Sequence, residues 1–68
     1  MTVLDITGKT IKEYDVCRAV ATDEMMIVLK NKKGKLIVKN SIIGLSDFLD
    51  VYPNGELQVV GNAAVSFT

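Results

Sequence analysis

The stretch that decides the fold is MMIVLKNKKGKLIVKN, residues 25–40. Two apolar runs flank the sequence Asn31-Lys32-Lys33-Gly34, whose fourth-position glycine is typical of a type I turn followed by a left-handed bulge residue. This turn predicts a β-hairpin and fixes its register. The face on which each side chain lies can therefore be counted outward from the turn.

Counting outward from the turn predicts that both faces of this hairpin are apolar. One face carries Met25, Ile27, Leu29 and Ile37, and the opposite face carries Met26, Val28, Leu36 and Val38. A chain of 68 residues has one interior, so we expect the second apolar face to contact another chain. The residues predicted for this oligomer interface are Met26, Val28, Leu36 and Val38. The within-chain alternative is that residues 42–45 or 63–67 cover them.

A second turn, Tyr52-Pro53-Asn54-Gly55, has the same glycine position and predicts a second hairpin. This hairpin would join residues 48–52 to residues 56–60. Counting from its turn predicts an ordinary amphipathic ribbon, with one apolar face. That face consists of Leu49, Val51, Leu57 and Val59.

The remaining short apolar stretches, separated by turn residues, predict further strands. They lie at residues 2–6, 16–21 and 63–67. Residues 41–49 are predicted to form a loop or a single helical turn, because Gly44 disfavours a longer helix. We therefore predict one all-β domain over residues 1–68, a small barrel, roll or sandwich of seven to eight short antiparallel strands.

Composition and charge narrow the classes of function. Hydrophobic residues make up 49% of the chain and charged residues 24%, which is ordinary for a globular protein. The net charge is zero, so the whole molecule has no bias toward nucleic acid or anionic membranes. The sequence shows no signal peptide and no apolar run near the roughly 18 residues of a membrane span. We expect a cytoplasmic protein that does not enter a membrane.

Residue types that commonly serve as catalytic groups or metal ligands are scarce. The chain has one cysteine, Cys17, and no histidine, which excludes an intrachain disulfide and disfavours a zinc site. Cys17 is expected to be a buried structural thiol. Two carboxylate pairs, Asp23 with Glu24 and Asp47 with Asp50, fall in segments expected to be exposed. We predict no enzymatic activity, no catalytic residue, no cofactor, no metal and no small-molecule substrate.

The hairpin is also the most basic part of the chain, with five lysines and no acidic residue between positions 25 and 40. Its turn carries the candidate contacts to nucleic acid or to an acidic partner, namely Lys30, Lys32, Lys33 and Lys35. The hairpin has no arginine and no aromatic residue, both of which single-strand binders use. Two other interpretations are a solvated turn and a tip that docks on the acidic C-terminal third of a neighbouring subunit.

Residues 27–38 resemble the central hairpin of small SH3-like barrels, a generic likeness that transfers no functional residue. In style the chain is similar to small phage virion or accessory proteins. We predict a non-enzymatic interaction or structural module that acts as a homo-oligomer or as a subunit of a larger assembly. The alternative is a small nucleic-acid-binding barrel that uses the lysine hairpin. A third class is an inhibitor or adaptor that adds an edge strand to its target.

Overall fold

The hairpin at residues 25–40 forms as predicted and lies in the middle of a single antiparallel sheet. The computed structural model describes residues 2–40, 44 and 46–63. Its elements are β1 (Asp15–Ala19), β2 (Met25–Lys30), β3 (Leu36–Asn40), β4 (Ser46–Phe48), a 3-10 helix (Leu49–Val51) and β5 (Leu57–Asn62). In space the strands run in the order β4-β3-β2-β1-β5, so β2 and β3 each have a neighbour on both sides.

The turn between β2 and β3 has the predicted geometry. Gly34 N–H donates to the Asn31 carbonyl at 3.0 Å, and Asn31 N–H donates to the Lys35 carbonyl at 2.9 Å. Gly34 has φ +80°, a left-handed conformation that favours glycine. Val28 is opposite Val38 and Leu29 is opposite Ile37. The division of this hairpin into two apolar faces is therefore confirmed.

The all-β class is confirmed, but the finer architecture differs from the prediction. Within the described residues the sheet has five strands, not seven to eight, and it does not close into a barrel. Residues 2–6 contribute only an isolated bridge, between Leu4 and Thr10. All but Ala63 of the strand predicted at residues 63–67 lies outside the described residues, as do residues 41–43 and 45.

The predicted second hairpin does not form. Leu49–Val51 is a 3-10 helix, in which Tyr52 N–H donates to the Leu49 carbonyl at 3.1 Å. The turn itself exists, with Gly55 at φ +88°, but it leads from this helix into β5. β5 pairs with β1, where Val59 is opposite Cys17. The glycine pattern correctly indicated a chain reversal, but a turn alone does not determine which strands pair.

One face of the sheet packs on a lid formed by the chain's own N-terminal segment and the 3-10 helix. The buried apolar residues are Val3, Ile11, Cys17, Met26, Val28, Val38, Leu49 and Leu57. Val3 and Ile11 come from the N-terminal segment and Leu49 from the helix. The core therefore lies between the sheet and this lid.

The face assigned from sequence to an oligomer interface is this inner face. Met26, Val28 and Val38 are at most 5% exposed, and Leu36 packs against them. The structure thus corrects their assignment, because the chain itself covers them. The lid was missed because the segment containing Leu49 was expected to be a strand of the second hairpin. The opposite face of the same hairpin becomes the outer surface of the sheet.

Asp5 ties the N-terminal segment to the edge strand β5. Asp5 N–H donates to the Lys9 carbonyl at 2.8 Å, which closes a tight turn. The Asp5 carboxylate accepts hydrogen bonds from Thr7 N–H and from Lys9 N–H, each at 2.9 Å. It also accepts one from Val59 N–H on β5, at 3.0 Å. One buried carboxylate therefore satisfies donors from two separate parts of the chain.

Candidate protein interface

The outer surface of the sheet carries a continuous strip of apolar side chains, which we name the outer apolar face. Alternation along β2 and β3 directs Ile27, Leu29 and Ile37 away from the core. The register places Ile27 opposite Val16 of β1 and Ile37 opposite Phe48 of β4. The outer apolar face consists of Val16, Met25, Ile27, Leu29, Ile37 and Phe48.

The outer apolar face is partly open to solvent. Phe48 is 44% exposed, and the other five residues are half-buried. At least two cationic side chains border it: Lys39 lies opposite Ile27, and the Lys35 ammonium lies 4.5 Å from the centre of the Phe48 ring. An apolar centre with charged residues at the rim is the usual composition of a protein interface.

The structure divides the four lysines of the hairpin turn into two pairs. The Lys30 ammonium lies 3.7 Å from a Glu13 carboxylate oxygen, and the Lys35 ammonium lies 3.1 Å from Asp50. Lys32 and Lys33 are exposed and form no ion pair with the described residues. We call these two residues the lysine tip. Within the described residues, the turn therefore presents two positive charges without an ion pair, where the sequence suggested four.

A cleft of about 810 Å³ opens between the hairpin turn and the N-terminal segment. Leu36 and Leu49 contribute apolar lining, while both ion pairs of the hairpin turn, Lys30 with Glu13 and Lys35 with Asp50, also line it. These ion pairs join the hairpin to the N-terminal segment and to the 3-10 helix. The cleft thus follows the junction between the sheet and its lid.

Cys17 is a buried thiol, as predicted. It is fully buried in the core and forms no disulfide. Burial raises its pKa to about 11, with further contributions from the negative charges of Asp15 and Asp5. The nucleophilic thiolate is therefore a very small fraction near neutral pH. Over residues 2–40, 44 and 46–63, no three histidine, cysteine or acidic side chains converge in a geometry suited to a metal ion.

A groove that the sequence did not indicate lies at the end of the hairpin away from the lysine tip. Two cavities of about 330 and 290 Å³ share Tyr52, Glu24 and Met26 in their linings. Burial raises the pKa of Tyr52, and the negative charges of Asp47, Glu24 and Glu56 raise it further. These acidic residues are far apart in sequence, and only the strand order brings them together. We call the two cavities together the Tyr52 groove.

Comparisons with known protein families, with curated proteins and with solved structures found no match. No relative therefore supplies a function for this chain. In the part of the chain that the structure describes, no helix has the length and apolar character needed to cross a membrane.

Proposed function

We propose that this chain is a non-enzymatic β module that acts by protein–protein association, as a homo-oligomer or as a subunit of a larger assembly. The contact surface in this proposal is the outer apolar face. The observation that carries the proposal is the position of Ile27, Leu29 and Ile37. These residues lie on β2 and β3, which are interior strands of the sheet, yet they are only half-buried.

Covering this face would be favourable for an ordinary physical reason. Apolar surface removed from water contributes about 25 cal/mol per Å². Phe48 and Ile37 lie opposite each other and would form an aromatic and aliphatic pair within the contact. Lys39, at the rim, would remain accessible to water or to an acidic group of the partner.

The test is the mass of the native particle, measured by sedimentation on the unmodified chain and on Ile37→Lys. We expect the unmodified chain to sediment as more than one 7.4 kDa unit at micromolar concentration. Ile37→Lys should sediment as one chain while its far-ultraviolet circular dichroism stays unchanged, because this position lies outside the core.

The matched control is Val51→Lys, which places the same charge at a residue that is 54% exposed and not part of the outer apolar face. This variant should keep the mass of the unmodified chain. An unchanged mass for Ile37→Lys would contradict the proposed surface.

Nucleic-acid binding by the hairpin turn has weaker support. Lys30 and Lys35 are already paired with carboxylates, which leaves the lysine tip as the phosphate contact. Salt-sensitive binding of an oligonucleotide that Lys32→Glu/Lys33→Glu abolishes would favour this alternative.

A further inference from the structure

We propose that the lysine tip of one copy docks in the Tyr52 groove of a second copy, so that copies join head to tail. This inference builds on the proposed association function and adds a second contact surface to it. The two surfaces belong to opposite ends of the same hairpin. Their charges are opposite, and neither end can reach the other within one chain.

The hairpin separates the two charges by the length of β2. Glu24 directly precedes β2, while Lys32 and Lys33 follow its last residue, Lys30. Six residues at roughly 3.3 Å each place the two ends about 20 Å apart. Asn40, the last residue of β3, donates a side-chain hydrogen bond to Glu24 at 2.8 Å. This bond keeps the carboxylate at the end of the hairpin away from the tip.

The Tyr52 groove offers both parts of a lysine side chain a suitable environment. Its apolar lining belongs to the end of the core, with Met26 and Leu57 in the larger cavity and Met26 and Val38 in the smaller. The alkyl part of a lysine can pack on such a surface while its ammonium group stays near water. The carboxylates that line the two cavities are Glu24, Asp47 and Glu56.

Both surfaces keep their charge, although the Glu24 carboxylate also accepts hydrogen bonds from the Thr22 hydroxyl and the Asn40 amide. None of the three groove carboxylates forms an ion pair with a described residue, and the same holds for the lysine tip. Asp50, by contrast, is already paired with Lys35 of its own chain. Over the part of the chain that the structure describes, the groove, and not the 3-10 helix that carries Asp50, is therefore the acidic surface without an ion pair of its own.

The symmetry of this contact follows from its two different surfaces. A tip that binds a groove is a heterologous contact, which either closes into a ring or continues as a filament. Exposed ion pairs are individually weak, at roughly 0–1 kcal/mol each. Contact through the outer apolar face would hold copies together and increase the effective concentration of tip and groove.

The experiment uses two variants, each of which reverses the charge of one of the two surfaces. The tip variant, Lys32→Glu/Lys33→Glu, carries acidic groups at both ends of the hairpin. The groove variant, Glu24→Lys/Glu56→Lys, carries basic groups at both ends. Sedimentation in 20 mM and in 500 mM salt gives the particle mass of each variant, of their equimolar mixture and of the unmodified chain. Circular dichroism first verifies that both variants fold.

At low salt the unmodified chain should form particles at least twice the mass of those at high salt, because salt screens the contact. Each variant alone should show only the smaller particle, and the mixture should regain the larger one. Lys9→Glu/Lys12→Glu, which makes the same charge change at two exposed residues of the N-terminal segment, should behave as the unmodified chain. A mixture that stays small, or a tip variant that keeps the salt-dependent mass, would overturn the inference.

Failure of this contact can be distinguished from failure of the proposed function. If only the tip-to-groove inference is wrong, Ile37→Lys still lowers the particle mass and the charge variants have no effect. If only the outer apolar face is wrong, the charge variants change the mass and Ile37→Lys does not. An unmodified chain that remains a single 7.4 kDa unit in both salt conditions overturns both.

Discussion

At the scale of single residues, Asp5 is a buried polar group that joins two parts of the fold. It is 3% exposed, and burial alone would raise its pKa. Hydrogen bonds from Val59, Thr7 and Lys9 outweigh burial and lower the pKa from 3.8 to about 2. The charged carboxylate is therefore the form that the folded chain prefers.

This lowered pKa predicts an acid-sensitive fold. The stabilisation from Asp5 is fully present above pH 4, and it is lost as the pH falls from about 4 to about 2. In Asp5→Asn the amide group cannot accept all of these hydrogen bonds, so we expect a lower melting temperature at pH 7. The variant should also lose part of the rise in stability between pH 2 and pH 4.

Thermal melts at several pH values measure both effects. Asp47→Asn is the control, because Asp47 is exposed and, among the described residues, its carboxylate accepts a hydrogen bond from the adjacent Phe48 N–H alone. Equal pH profiles for Asp5→Asn and the unmodified chain would contradict the role assigned to Asp5.

The Cys17 thiol should react slowly with thiol reagents in the folded chain. Because it is fully buried and its pKa is raised to about 11, a thiol reagent should label it only after the chain opens. We expect little labelling at pH 7 in native buffer and complete labelling in denaturant. Rapid labelling of the native chain would show that the core around Cys17 is open.

At the scale of elements, two turns share one construction. Asp5 accepts hydrogen bonds from the backbone N–H groups two and four residues later, and Asn31 does the same with Lys33 and Lys35. The shared sequence is an acidic or amide residue, two residues of any type, then Gly-Lys. The second turn was predicted correctly, and its Gly34-Lys35 pair matches Gly8-Lys9, but Asp5 was not recognised as the counterpart of Asn31. Aligning residues 5–9 with residues 31–35 identifies Asp5.

Alanine substitution should change the stability of the fold differently at Gly34, in the turn between β2 and β3, and at Gly61, in β5. Gly34 has φ +80°, and an added methyl group would meet no atom within 4 Å, so Gly34→Ala costs only backbone strain. We expect a loss of about 1 kcal/mol. Gly61 lies in β5 without a left-handed φ and also has free space. Gly61→Ala should be neutral or should stabilise by up to about 1 kcal/mol.

Urea unfolding measures both glycine variants against the unmodified chain. Equal losses of stability at the two positions would mean that the turn does not require the left-handed conformation of Gly34.

Substitution by lysine should have opposite effects on folding at Ile37 and at Val38, because the two side chains lie on opposite faces of β3. Val38 is 3% exposed, so Val38→Lys buries a charge in the core and should unfold the chain, at a cost of several kcal/mol. Ile37→Lys should leave a folded chain, because that side chain lies on the outer apolar face. Circular dichroism and urea unfolding distinguish the two outcomes. A folded Val38→Lys variant would mean that the inner and outer faces have been exchanged.

The sequence could determine which residues share a face of the hairpin, but not which face lies inside. Side-chain alternation and the Gly34 turn are local properties, and they sufficed to predict the two apolar faces. The inner face was decided by distant residues such as Ile11 and Leu49, which pack on Val38 and its neighbours. Because Leu49 was expected to lie in a strand of the second hairpin, the helix that covers the inner face was not foreseen. The interface was therefore assigned to the inner face and not to the outer one.

At the scale of the whole molecule, a net charge of zero conceals a separation of charge. The lysine tip lies at one end of the hairpin, and Glu24, Asp47 and Glu56 lie near the other, around Tyr52. These groove residues come from three separate segments, so no sequence window contains them. Only the strand order, with β5 beside β1 instead of β4, shows that they meet.

The proposal that another chain covers the outer apolar face can be tested by sedimentation equilibrium of the unmodified chain from low to high micromolar concentration. We expect a particle heavier than 7.4 kDa, whose mass increases with concentration until the assembly is complete. A particle of 7.4 kDa at every concentration, with no partner that binds to Ile37 and its neighbours, would show that this face is not an interface.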